Sequence, residues 1–164
     1  MGSAVAIAIV FVGVALLLLK SQSSSGGLSE DGTPGKAGPA AAGPTNLISA
    51  LANAIAQAEG YGVEGAIPTM ANNPGDLVVG NVGYGTMGSG ITIFGSVQDG
   101  WNALYRELNL IFSGASKIYN TEMTFAEMAA HWTLTEASPW ANNVASALGV
   151  TVYTTLKDWM ALNS

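Results

Sequence analysis

The stretch "IAQAEGYGVEGAIPTMANNPGDL", residues 55–77, decides how the chain folds. Its first residues close an apolar stripe: Leu47, Ile48, Leu51, Ala52, Ile55 and Ala58 recur at steps of three and four. That spacing predicts an amphipathic helix over 46–59, with Thr45 as N-cap and Gly60 as its stop. The helical period then gives way to turn residues. Pro74-Gly75 suits the centre of a type II turn. "DLVVG" (76–80) and "GITIFG" (90–95) read as short strands joined by the glycine-rich "NVGYGTMGS", so a hairpin is expected over about 76–94.

From Ser96 the helical period returns. Val97, Trp101, Leu104, Leu108 and Ile111 form a stripe, with Asp99 in the first turn and Gly114 as the stop. Thr124-Phe-Ala-Glu127 matches a capping box ahead of Phe125, Met128, Ala129 and Trp132. Ser138-Pro139 reads as a cap followed by proline at the first helical position, for a helix reaching about Leu148. A last helix is expected over about 154–162. Trp101 and Trp132 read as core. The fold class is therefore α+β: mostly helical, with a small β-hairpin sheet after the first domain helix.

Upstream of this domain the composition changes twice. Residues 4–19, "AVAIAIVFVGVALLLL", contain no charge and no proline. At about 1.5 Å per residue they span roughly 24 Å, just short of the ~30 Å hydrocarbon core. An N-terminal transmembrane helix over 1–20 is expected. The rival is a signal-peptide core, but no Lys or Arg precedes the run and no A-x-A site follows it. Residues 21–44 are mostly Ser, Gly, Pro and Ala and read as a flexible linker. The domain is expected over 45–164.

Composition excludes several function classes. Net charge is −6, and after the linker only Arg106, Lys117 and Lys157 oppose nine Asp and Glu. Nucleic acid binding needs a basic footprint that this chain lacks. There is no cysteine and a single histidine, His131, so a lipid-modified cysteine, a disulfide framework and a Cys/His metal site are all excluded. No G-x-S-x-G and no phosphate-binding P-loop pattern occurs. Neither cofactor nor metal is expected.

What remains is carboxylate chemistry. Positions 48, 52, 55 and 59 lie on one helical stripe, so Glu59 continues the buried face of its helix. Desolvation raises a carboxyl pKa, and a carboxyl that holds its proton near neutrality is what a general acid at a glycosidic oxygen requires. The alternative is a glutamate fraying into solvent, although a helix C-terminus disfavours an anion. Glu64, in the glycine-rich loop, reads as a solvated charge. Asp76 reads either as the second carboxylate of a glycosidase or as a residue serving its own turn. Tyr61 and Tyr84 fall outside the stripes, where they would stack on sugar rings.

Three segments together carry a resemblance: "AIAQAEGYGVEGAIPTMANNPGDL", "FGSVQDGWNALYRELNLI" and "HW…ASPWANNVASALGV". Over about residues 46–150 the chain resembles the lysozyme-like domains of phage and bacterial lytic transglycosylases. The shared pattern is an apolar helix ending in Glu-Gly, an Asn-Asn-Pro-Gly turn, Phe and Gly before an amphipathic helix, and a late helix ending in Leu-Gly-Val.

The resemblance implies a lysozyme-like fold and a peptidoglycan lytic transglycosylase with Glu59 as the lone acid/base. Such an enzyme cleaves the β-1,4 bond between N-acetylmuramic acid and N-acetylglucosamine and closes a 1,6-anhydro ring, the substrate's N-acetyl group standing in for a second carboxylate. It places Asn72 and Asn73 on the turn that shapes the cleft. The family commonly has Asn where this chain has Asp76, and often Tyr where it has Trp140. The expected substrate-binding residues are thus Tyr61, Asn72, Asn73, Asp76 and Tyr84. The expected partners are peptidoglycan glycan strands and a membrane held through residues 4–19. Two placements suit an anchored wall-cleaving enzyme: the internal membrane of a phage virion, among other virion membrane proteins, or a bacterial inner membrane facing the periplasm. The alternatives are a hydrolytic lysozyme using Glu59 and Asp76, and a non-catalytic anchored protein that binds glycan.

Overall fold

The computed structural model describes residues 45–79, 84–133 and 135–163. The expected anchor and linker lie outside them, and among the described residues no helix is long and apolar enough to cross a membrane. The described chain is α+β, mostly helical with one two-stranded antiparallel sheet. In order it comprises α1 (Thr45–Ala58), α2 (Ile67–Met70), β1 (Thr86–Met87), β2 (Ile91–Thr92), α3 (Val97–Phe112), α4 (Phe125–Trp132), α5 (Ala137–Ala147) and α6 (Leu156–Leu162).

The helical stripes meet in one core. Leu51, Ala52 and Ile55 of α1, Leu104, Leu108 and Ile111 of α3, and Val144 of α5 are fully buried together. α1 packs on α3 and α5, and α5 packs on α4. Phe125 and Trp159 close the far end edge to face, with centroids 6.5 Å apart. The N-caps of α4 and α6 are paired: Thr124 bridges Thr155, and each threonine hydroxyl accepts the third amide of its own helix. The expected capping box at Thr124 and Glu127 is complete. Ser96 caps α3 by accepting from the Asp99 amide.

The turn and hairpin depart from expectation. Residues 76–79 do not form a strand; β2 pairs instead with β1, in the register Thr86↔Thr92 and Met87↔Ile91. One backbone bond, Thr92 N to Leu77 O at 3.0 Å, joins this segment to β2, and side chains supply the rest. Asn73 is 0% exposed; its Nδ2 donates to Leu77 O at 2.8 Å and Thr92 O at 2.9 Å, and its Oδ1 accepts from Leu77 N at 2.9 Å. The Thr92 hydroxyl in turn accepts from Val79 N at 2.8 Å. Leu77–Val79 therefore lies beside β2 without the regular alternation of a strand.

The turn itself is closed by Asp76 N donating to Asn73 O at 3.1 Å, but a type II turn needs positive φ at Gly75, and that angle falls instead on Asn72 (53°) and Asp76 (51°). Gly75 is required for close packing: a Cβ there would sit 2.9 Å from Leu104 Cδ1. Gly100 is tighter still, since its Cβ would lie 1.8 Å from Asn72 O. The turn is thus pressed against the start of α3, which fixes the position of Asp76.

Two smaller differences concern helix ends. α5 begins at Ala137, one residue before the expected Ser138 cap, and Pro139 occupies its third position. Amides of the first turn have no intrahelical partner, so proline is tolerated there. The short helix α2, with Pro68 in its first turn, was not anticipated.

Candidate active site

The site begins at the end of α1. Glu59 N donates to Ile55 O at 2.9 Å, so the helical ladder runs to this residue. Gly60 then takes φ 75°, its amide reaching Gln57 O at 3.1 Å, while Tyr61 N reaches back to Ala56 O at 2.9 Å. This pair of bonds is a Schellman cap, with Glu59 at the C-cap and Gly60 in the left-handed position that glycine alone adopts without strain. The cap turns the backbone away and holds the Glu59 side chain on the inner face of the helix.

That side chain lines a cavity of about 590 Å³, within the range of small-ligand sites. Ala58 and Glu59 form one wall, and Gly65–Pro68, leading into α2, form a second. Gly88, Ser89 and Ile91 of the hairpin face Trp132, Glu136, Trp140 and Asn143 of the α4–α5 corner. Asp76 completes the lining. Among the described residues no basic side chain lines the cavity.

Two carboxyl groups therefore share one partly buried space. Burial pushes Glu59 up to about 8, and the nearby Asp76 charge pushes the same way. The indole N–H of Trp140, which donates to Glu59 Oε1 at 2.8 Å, opposes the shift, and Trp132 opposes it more weakly. Burial also raises Asp76, to about 7. Its Oδ1 is buried without a hydrogen-bond partner among the described residues. Asp76 also holds a left-handed backbone conformation. An unpartnered carboxylate oxygen and a left-handed backbone thus coincide at one cavity-lining residue.

The two indoles form the wall over Glu59. Trp132 and Trp140 stack at 5.6 Å and 26°, and Trp132 Nε1 donates to Gly75 O at 3.3 Å. Trp132 is thus not simply core: it joins α4 to the Asn-Asn-Pro-Gly turn and lines the cavity.

Of the expected site residues, the fold brings Glu59 and Asp76 together. It uses the other four elsewhere. Tyr61 meets Trp101 edge to face at 5.7 Å, with its hydroxyl buried. Asn72 Nδ2 donates to Phe94 O at 3.1 Å, tying the turn to the end of the hairpin. Asn73, as described, is the buried organiser of the Leu77–Val79 segment. Tyr84 is 83% exposed, and its ring lies over Gly95, so close that a Cβ there would overlap it.

Trp132, Trp140, Glu136 and Asn143 line the cavity and were missed. The available signal was that tryptophan at a helix end needs a partner for its indole N–H. No protein-family model, curated protein or solved structure matches the chain.

Proposed function

We propose that the chain is a glycan-cleaving enzyme, a peptidoglycan lytic transglycosylase on a lysozyme-like fold, with Glu59 as its single general acid/base. The observation that carries this reading is a largely buried carboxyl group, Glu59, on the wall of a cavity, where burial pushes its pKa up to about 8. Protonated Glu59 gives its proton to the glycosidic oxygen as the bond to C1 of N-acetylmuramic acid breaks. The resulting carboxylate then takes the proton of the 6-hydroxyl as that oxygen bonds to C1, closing the 1,6-anhydro ring. No water is consumed, and the residue is regenerated in its acid form.

The stacked indoles offer an aromatic wall of the kind sugars pack against. The expected linker would fit the same reading: a coil of about 24 residues would reach on the order of 25–30 Å, so an enzyme anchored through residues 4–19 would sample adjacent wall. We place it in a phage virion's internal membrane, opening the host wall, or in a bacterial inner membrane facing the periplasm.

A second reading is supported by Asp76, which shares the cavity and has an unpartnered Oδ1. If Asp76 takes part, it would guide a water to C1, and the enzyme would be a hydrolytic lysozyme. Digestion of purified sacculi with wild type and Glu59→Gln tests both. Wild type is expected to release 1,6-anhydro muropeptides by mass spectrometry, and Glu59→Gln to be slower by on the order of 10²–10⁴-fold. Reducing-end products would select the hydrolytic reading. Wild-type rates in Glu59→Gln would reject Glu59 as the acid, and an inactive wild type would favour a glycan-binding protein.

A further inference from the structure

We infer that Trp140 is a positioning residue for the acid: its indole fixes which oxygen of Glu59 carries the proton. An indole N–H donates and never accepts. Trp140 Nε1 lies 2.8 Å from Glu59 Oε1, across 81 residues of sequence, in a ring that is 3% exposed. The carbonyl oxygen of a neutral carboxyl group is its better acceptor. Oε1 is therefore the carbonyl oxygen, and the acidic proton sits on Oε2. A tyrosine hydroxyl at this position would donate or accept, and would leave both tautomers open. Tryptophan leaves one.

The ring has little freedom to release this bond. It stacks on Trp132 at 5.6 Å, and Trp132 is itself anchored to Gly75 O. Trp140 sits on α5, which packs against α1, the helix that carries Glu59. Two helices and a stacked pair of indoles thus hold the acid in one rotamer and one protonation pattern. When Glu59 ionises, the same N–H faces a full negative charge, and the bond strengthens. Trp140 therefore also lowers the alkaline limit at which the acid loses its proton, in line with the direction of its influence on Glu59. The other titratable side chains lining the cavity are Asp76 and Glu136.

Two measurements decide this, and only the second rests on the glycan-cleaving reading. In 15N-labelled protein, the Trp140 indole N–H resonance is followed from pH 5 to pH 10. It is expected to move with a midpoint near the Glu59 transition at about 8, and to stay flat in Glu59→Gln. A flat wild-type resonance, or an unchanged titration in Glu59→Gln, overturns the inference. In the second measurement Trp140 is replaced by phenylalanine and, separately, by β-(3-benzothienyl)alanine, which keeps the bicyclic shape and puts sulfur in place of N–H.

The benzothienyl variant guards against a phenylalanine variant that fails to fold. It is expected to lose on the order of 10- to 100-fold in kcat on sacculi with KM within about threefold. The alkaline limb of its pH–rate profile is expected at higher pH than in wild type. An unchanged kcat and pH profile, or a change in KM alone, overturns the positioning role. A wild type inactive on sacculi would remove the glycan-cleaving reading, and the indole titration would still decide the role of Trp140.

Discussion

Glu59 is where three independent constraints meet. The helical stripe buries it, the Schellman cap fixes its backbone, and Trp140 and Asp76 set its electrostatics with opposite signs. The sign of the Asp76 influence gives a test. Asp76→Asn removes the neighbouring negative charge, so the Glu59 pKa falls and the alkaline limb of activity moves to lower pH. Asparagine tolerates the left-handed conformation held at position 76, so the fold is expected to survive. If Glu59 works alone, the variant keeps releasing anhydro products; loss of all cleavage would make Asp76 a second catalytic carboxylate.

At this scale the sequence was informative about Glu59 and Asp76 because both signals are local, a stripe ending in glycine and a turn. Trp140 was illegible because its role depends on a partner 81 residues away, and periodicity carries no information on such pairings. Asn73 was misread for a related reason. A polar residue in a turn looks available to a ligand until the fold shows that the backbone has taken all of its hydrogen bonds.

The elements were legible where helices carry their own caps. Thr124 starts a helix through a capping box that spacing alone reveals, and Ser96 and Thr155 cap theirs in the same way. The sheet was less so, because its first expected strand makes one backbone bond to β2 and is otherwise held by the Asn73 and Thr92 side chains. Asn73→Ala tests that account directly. It would leave Leu77 N without its partner and remove a donor from Thr92 O, while Leu77 O would keep Thr92 N; unfolding stability is expected to fall by about 1–3 kcal/mol in urea titrations. The cavity should suffer with it, because the same asparagine sets the course of the chain on either side of Asp76. A variant as stable as wild type would mean that the segment is held by other contacts.

For the whole molecule, the cavity carboxyls link folding to pH. Burial pushes folded Glu59 up to about 8 from an ordinary 4.5, and Asp76 up to about 7 from 3.8. Between about pH 4.5 and 8 the unfolded chain has released these protons while the folded one retains them. Stability is therefore greatest below that window and falls as pH rises through it. The exposed Glu127, lowered by its bonds to Thr124, acts in the opposite sense. Melting temperature is expected to drop by on the order of several degrees from pH 5 to pH 8, and Glu59→Gln should flatten much of the slope. A melting temperature that rises over the same interval would contradict the burial of these groups. Such a cost to stability is what the proposed acid role would entail.

The most direct measurement is the ionisation of Glu59 itself, followed through its side-chain carboxyl carbon by NMR from pH 3 to pH 10. We expect a transition centred near pH 8, absent from Glu59→Gln, with Asp76 titrating separately at lower pH. A Glu59 midpoint near its ordinary 4.5 would show an anion at neutral pH, unable to protonate a glycosidic oxygen, and would contradict the account.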